Sequence, residues 1–109
     1  MAYDEEFAQI LRDALSDLDN ITERKMFGGL CIMHNGNMLC GIANNGGIAR
    51  VGKEREELAL RYKGITPLSF TGRKMGGMVD ISEAALRDSE ILDEVLALAK
   101  EFVCALPAK

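Results

Sequence analysis

Leu30-Cys31-Ile32-Met33-His34-Asn35-Gly36-Asn37-Met38-Leu39-Cys40-Gly41-Ile42-Ala43 is the stretch whose reading decides the fold. Two extended apolar runs flank Asn35-Gly36, a dipeptide that tolerates the positive φ of a type I′ turn at both residues. The segment therefore reads as a β-hairpin. A two-residue turn sets the register: His34 opposite Asn37, Met33 opposite Met38, Ile32 opposite Leu39, Cys31 opposite Cys40. A second turn, Asn44-Asn45-Gly46-Gly47, leads into Ile48-Ala49-Arg50-Val51 and extends the hairpin to a three-stranded meander. Strands with one wet face alternate apolar and polar residues, and these do not. Leu30, Ile32 and Leu39 would share one face, and Cys31, Met33, Met38 and Cys40 the other. Either helices cover both faces or one face is buried against a partner. We take Cys31, Met33, Met38 and Cys40 as the candidate interface, with a homodimer through the sheet or through the C-terminal helix as one form of association.

Outward from the hairpin the periodicity becomes helical. Upstream, Tyr3, Phe7, Ile10, Leu11, Ala14, Leu15 and Leu18 recur at spacings of three and four, one helical stripe. Asp4 suits its N-cap, and Asp19-Asn20 closes it. Downstream, Lys53 to Lys63 is helical with Leu58 and Tyr62 as its main anchors, and Gly64 is placed to stop it. Pro67 enforces extended backbone before Leu68-Ser69-Phe70. Thr71-Gly72-Arg73-Lys74 and Gly76-Gly77 interrupt, and Met78-Val79-Asp80-Ile81 resumes as a strand. Ser82 and Asp88 are cap-type residues that predict a short helical turn followed by a long final helix. That helix carries Ile91, Leu92, Val95, Leu96, Leu98, Ala99, Phe102 and Val103. The reading is α+β, in the order α-β(3)-α-β(2)-α with an antiparallel meander and packed helices.

The whole chain, residues 1–109, reads as a single domain, and at 48% apolar residues it can bury a core. Thirteen basic and 17 acidic residues give a net charge of −4, unevenly spread. Residues 21–80 carry nine bases against five acids, between two acidic ends. An acidic total argues against direct nucleic-acid binding, which rests on phosphate neutralisation. The acidic N-terminus has no signal-peptide character, no apolar run approaches a membrane span, and three cysteines without a Cys-x-x-Cys pair suit a reducing compartment. The expectation is a cytoplasmic protein that meets no membrane.

Cys31, His34 and Cys40 raise the question of a metal. In the expected register His34 points away from the two thiols, and a tetrahedral ion needs about four converging ligands. No metal site, no cofactor motif and no nucleophile–base–acid set is expected, so the chain reads as non-enzymatic. The most suggestive pattern is an internal echo. Arg24-Lys25-Met26-Phe27-Gly28-Gly29 returns in reduced form as Arg73-Lys74-Met75-Gly76-Gly77. Arg24, Lys25, Gly28, Gly29, Arg73, Lys74, Gly76 and Gly77 are thus the candidate anion-binding residues, because paired cations and exposed glycine N–H groups suit a phosphate. The simpler alternative is that the glycines bend strand entrances while Arg-Lys stays solvated.

Lys25-Met26-Phe27-Gly28-Gly29 entering a strand is followed by the Asn-Gly hairpin, Arg50 in a short strand, a Pro-Phe stretch before Gly72, and Ser82-Glu83-Ala84-Ala85-Leu86 ahead of a long helix. In this order the pieces resemble the N-terminal domain of the TfoX/Sxy family, from Phe7 to Phe102. The resemblance implies the same α-β(3)-α-β(2)-α fold. It also implies kinship with competence regulators that act as coactivators with the cyclic-AMP receptor protein, and it supplies no catalytic residues. Those regulators carry a further helical C-terminal domain, so this chain reads as a standalone copy. Two functional readings stand: an interaction module working through protein partners, and a small-ligand or anion-binding domain using the paired Arg-Lys/Gly-Gly loops.

Overall fold

The computed structural model describes residues 5–26, 29–43, 46–70 and 73–107, with residues 26, 43, 68–70 and 73–75 described by their backbone alone. Helix α1 spans Glu5–Ala14 and buries Phe7, Ala8 and Leu11, with Glu5 and Glu6 at the positive end of its dipole. The expected cap Asp4 and the first stripe residue Tyr3 lie outside the described residues.

The hairpin forms from β2 (Gly29–His34) and β3 (Asn37–Ala43). Asn35 and Gly36 take φ values of 51° and 84°, as the type I′ turn requires. Its register holds only near the turn. A bulge between Ile32 and Met33 leaves Leu39 as an additional residue in β3, so Ile32 faces Cys40 and Cys31 faces Gly41. The expected Cys31–Cys40 pairing is therefore corrected. Because the bulge shifts the alternation by one residue, Cys40 moves to the opposite face from Cys31.

Three further expectations are corrected. Residues Ile21–Met26 form a strand, β1, so four strands rather than three precede the second helix. β1 is an edge strand, and Thr22, Glu23, Arg24 and Lys25 are exposed on it. Charged edges deter pairing with other chains, and that polarity hides the strand from an apolar pattern. Strand β4 (Gly46–Arg50) follows β3, then α2 (Lys53–Leu60), β5 (Ile65–Phe70) and β6 (Arg73–Ser82). Arg73 to Gly77 thus lie within β6 and not in a loop before it. In α2 Leu58 is 45% exposed, while Ala59 and Glu56 are buried. Leu58 does not anchor the helix. The apolar spacing there is too thin to set which face turns inward. Tyr62 does pack against the core.

The C-terminal half follows the sequence closely. Ser82 Oγ accepts the Ala85 N–H to cap α3 (Glu83–Arg87), and Asp88 Oδ1 accepts from Glu90 and Ile91 to cap α4 (Ser89–Val103). The six strands form one antiparallel sheet in the order β1-β2-β3-β4-β6-β5. One hydrophobic cluster joins residues of all four helices to sheet residues of a single parity, among them Ile32, Cys40, Ala49, Val79 and Ile81. The helices therefore share one face of the sheet. A buried Asn37 donates to the Pro107 carbonyl at 2.9 Å and ties the C-terminal end to β3. The architecture is α+β, as expected, with one strand added.

Candidate functional site

Where β4 ends, the chain turns through Val51 and Gly52 into α2, and this corner is built by two glycines. Gly52 has φ 86°, and a Cβ there would lie 2.5 Å from Cδ1 of Phe102 on α4. Gly77 of β6 has φ 83°, and its Cβ would lie 3.1 Å from the Lys53 backbone nitrogen. The Gly77 carbonyl accepts both the Val51 and Gly52 N–H groups, at 2.9 and 3.0 Å. Its own N–H donates to Oε1 of the buried Glu56 at 2.7 Å. One residue thus fastens the start of α2 to β6, and Glu56 is buried in order to receive it.

Between these elements lies a cleft of about 440 Å³, lined by Arg50, Gly52, Lys53, Glu54, Arg55, Gly76, Gly77 and Phe102. The Arg50 guanidinium sits 5.4 Å over the Phe102 ring, a cation–π contact that holds it at the wall. Arg55 pairs with Glu101 at 3.4 Å. The N-cap of α2 is Gly52, which offers no side chain to its first-turn N–H groups.

The candidate anion-binding residues divide on the structure. Arg24 and Lys25 are exposed on β1 and Gly29 opens β2, while Gly28 lies outside the described residues. The backbones of Arg73 and Lys74 belong to β6, and their side chains lie outside the described residues. Gly76 and Gly77 line the cleft. Between β1 and β6 lie β2, β3 and β4, so the two Arg-Lys pairs stand four inter-strand steps apart, roughly 19 Å across the sheet, and are further separated along it because Arg24 is level with Asp80. They do not form a joint site. The residues missed were Arg50, Lys53, Arg55 and Phe102. A glycine just before a helix that starts with lysine is a weak signal for the first three, and Phe102 is half a chain away.

The second constellation lies on the sheet face opposite the helices. Its register puts six residues directly opposite one another in a single row across all six strands: Arg24, Cys31, Gly41, Ile48, Asp80 and Thr66. Cys31 and Ile48 are buried yet stand outside the helix-side cluster. Met33, Met38 and Asp80 are half-buried. Among the described residues the Asp80 carboxylate has no hydrogen-bond or ion-pair partner, and burial pushes it above the usual range. Arg24 is likewise without a partner among the described residues. Of the candidate interface residues, Cys31, Met33 and Met38 share this face. Cys40 does not: it is wholly buried under the helices, and burial pushes its thiol up to about 12. The bulge is the reason.

His34 is held structurally. Asn35 Nδ2 lies 3.2 Å from Nε2 and the Asp19 carbonyl 3.0 Å from Nδ1, an arrangement that suits the neutral ring with its proton on Nδ1. Among the described residues no three His, Cys, Asp or Glu side chains converge as metal ligands, and no helix is long and apolar enough to cross a membrane.

The antiparallel sheet, its single helical layer and the α2 corner define a small α+β domain with a cleft at that corner and a helix-free sheet face. The chain belongs to the TfoX N-terminal domain family, whose model matches residues 13–103 of its 109. No curated protein matches it.

Proposed function

We propose that this chain is a non-enzymatic interaction domain of a regulatory assembly, and that it pairs with a second copy of itself through the helix-free face of its sheet. The observation that carries the reading is the row Arg24–Cys31–Gly41–Ile48–Asp80. Its two charges are opposite, unpaired among the described residues, and equally far from Gly41. An isologous interface needs such self-complementarity, since each surface must serve as its own partner. Two of these faces stack about 10 Å apart around a two-fold axis running along β3. Each Arg24 then lies over the partner subunit's Asp80. Cys31 lies over the partner's Ile48. Gly41 meets its own copy, where the absence of a side chain lets the sheets approach. The regulatory part of the reading rests on kinship with competence regulators that the TfoX N-terminal domain family implies.

Charge reversal tests this reading. Arg24→Asp or Asp80→Arg alone places like charges across the interface twice per dimer. At tenfold or more per contact, each substitution raises the dissociation constant by about a hundredfold or more. The double variant restores both contacts with reversed polarity and regains the dimer. Light scattering should show that sequence of masses. Wild-type protein that stays at 11.9 kDa at high concentration, or a double variant no better than the singles, overturns the proposal.

A further inference from the structure

We infer that the cleft at the start of α2 binds a small organic phosphomonoester, with the phosphate held between Arg50 and Lys53. Its volume of about 440 Å³ lies within the range of about 300–1,000 Å³ usual for small-molecule sites and exceeds what a bare phosphate fills. The charge balance points to an anion. Arg12, Arg55, Arg87 and Lys100 each have a carboxylate partner, at Glu23, Glu101, Glu6 and Asp17. Among the described residues Arg50 and Lys53 have none, as is also true of Arg24, Lys25, Arg61 and Lys63, but only Arg50 and Lys53 of these line the cleft. Glu54 also lines the cleft, and Arg55 is neutralised by Glu101, so the lining keeps one net positive charge on a chain of net −4. Arg50 is held in place by the Phe102 ring, so its fork is ordered before any ligand arrives. Gly76 and Gly77 form the facing wall without side chains, and the Lys53 side chain lies against Gly76, which sets its ammonium stem along that wall of the cleft. Arg50 supplies the planar fork and Lys53 a mobile point charge, a pairing that suits a phosphate dianion. This site does not rest on the assembly reading: it lies at the α2 corner, and its variants leave the Arg24–Asp80 row untouched.

The experiment is titration calorimetry on the full chain with adenosine monophosphate, inorganic phosphate and adenosine, in low salt. Saturable binding of the monophosphate, competed by inorganic phosphate and absent for adenosine, is expected. Equal affinity for phosphate and the monophosphate assigns recognition to the dianion alone, and tighter binding of the monophosphate adds the organic part. Lys53→Gln removes one charge-assisted contact and weakens binding by about tenfold or more. Lys53 is exposed at the first position of α2, so the ligand-free melting temperature should not move. Arg50→Gln should act in the same direction, and Arg61→Gln, at the opposite end of α2, should change nothing. No saturable binding of either phosphate below about 10 mM overturns the inference. So does adenosine binding as well as its monophosphate, or wild-type affinity in both cleft variants.

Discussion

Replacing Gly77 by alanine separates the two glycines that the sequence presents as an equivalent pair. Gly77 has φ 83°, a left-handed conformation that costs an alanine about 1–2 kcal/mol. The added methyl would also lie 3.1 to 3.3 Å from backbone atoms of Gly52 and Lys53, which cannot swing away as a side chain can. Relief requires α2 to shift from β6, and overpacking of that kind costs about 1–3 kcal/mol. The shift would also lengthen the 2.7 Å hydrogen bond to the buried Glu56 carboxylate. Together these predict a loss of about 2–5 kcal/mol for Gly77→Ala, a large share of the about 5–15 kcal/mol that holds a native domain. Gly76 differs in each respect. It is exposed, its φ is not positive, and its Cβ would meet only the flexible end of Lys53, with Cε at 3.2 Å. Gly76→Ala should lie within about 0.5 kcal/mol of the parent protein. Urea unfolding followed by circular dichroism measures both, with matched m-values securing the comparison. Equal effects of the two substitutions would refute the account of the α2 corner.

Leu96 is 1% exposed in the middle of α4, so Leu96→Ala should cost about 2–5 kcal/mol in the same unfolding assay. A thiol reagent should modify the exposed Cys104 first and Cys31 more slowly, with Cys31 slowing further as protein concentration rises. Cys40, buried and with its thiol at about 12, should react only on unfolding, and mass spectrometry of labelled peptides reads the order. Two carboxylates should shift pH stability in opposite senses at concentrations where the chain is monomeric. The hydrogen bond from Arg12 holds Glu23 below its usual range, so its contribution is present at neutral pH and is lost as pH falls through that range. Burial holds Asp80 above its usual range, so it costs stability as pH rises through the same region and beyond. Glu23→Gln should therefore destabilise at neutral pH and little at about pH 3, whereas Asp80→Asn should stabilise at neutral pH and be silent in acid.

The parts of the fold that sequence made legible are those where local chemistry acts alone. Asn35-Gly36 specified a turn, and Ser82 and Asp88 specified caps. The stripe from Ile91 to Val103 specified α4, because its apolar surface is large enough to fix one orientation. β1 was not legible because an edge strand satisfies its sheet on one side only and can be charged throughout. The bulge at Leu39 was not legible either. Nothing in Met33 or Met38 reveals that the register slips, yet the slip sends Cys40 into the core and leaves Cys31 on the helix-free face. For the cleft, Gly76 and Gly77 stood out as a motif, but their partners Arg50, Lys53 and Phe102 come from β4, α2 and α4. Only the crossover that sets β6 beside β4 brings them together. The Arg24–Asp80 row likewise depends on pairing across five strands, which no local pattern encodes.

The pairing of two helix-free faces is tested most directly by a cross-link between protomers. Arg24→Cys and Asp80→Cys are made separately in a Cys31→Ser/Cys104→Ser background, mixed, and treated with a short bis-maleimide whose reach of about 10 Å matches the spacing of stacked sheets, too wide for a direct disulfide. Residues 24 and 80 face each other across the two-fold axis, whereas residue 24 lies roughly 19 Å along the row from its own copy, beyond that reach. The account predicts a covalent dimer of twice 11.9 kDa in the mixture and monomers when either variant is treated alone. Cross-linking in the separate samples, or none in the mixture, would contradict it.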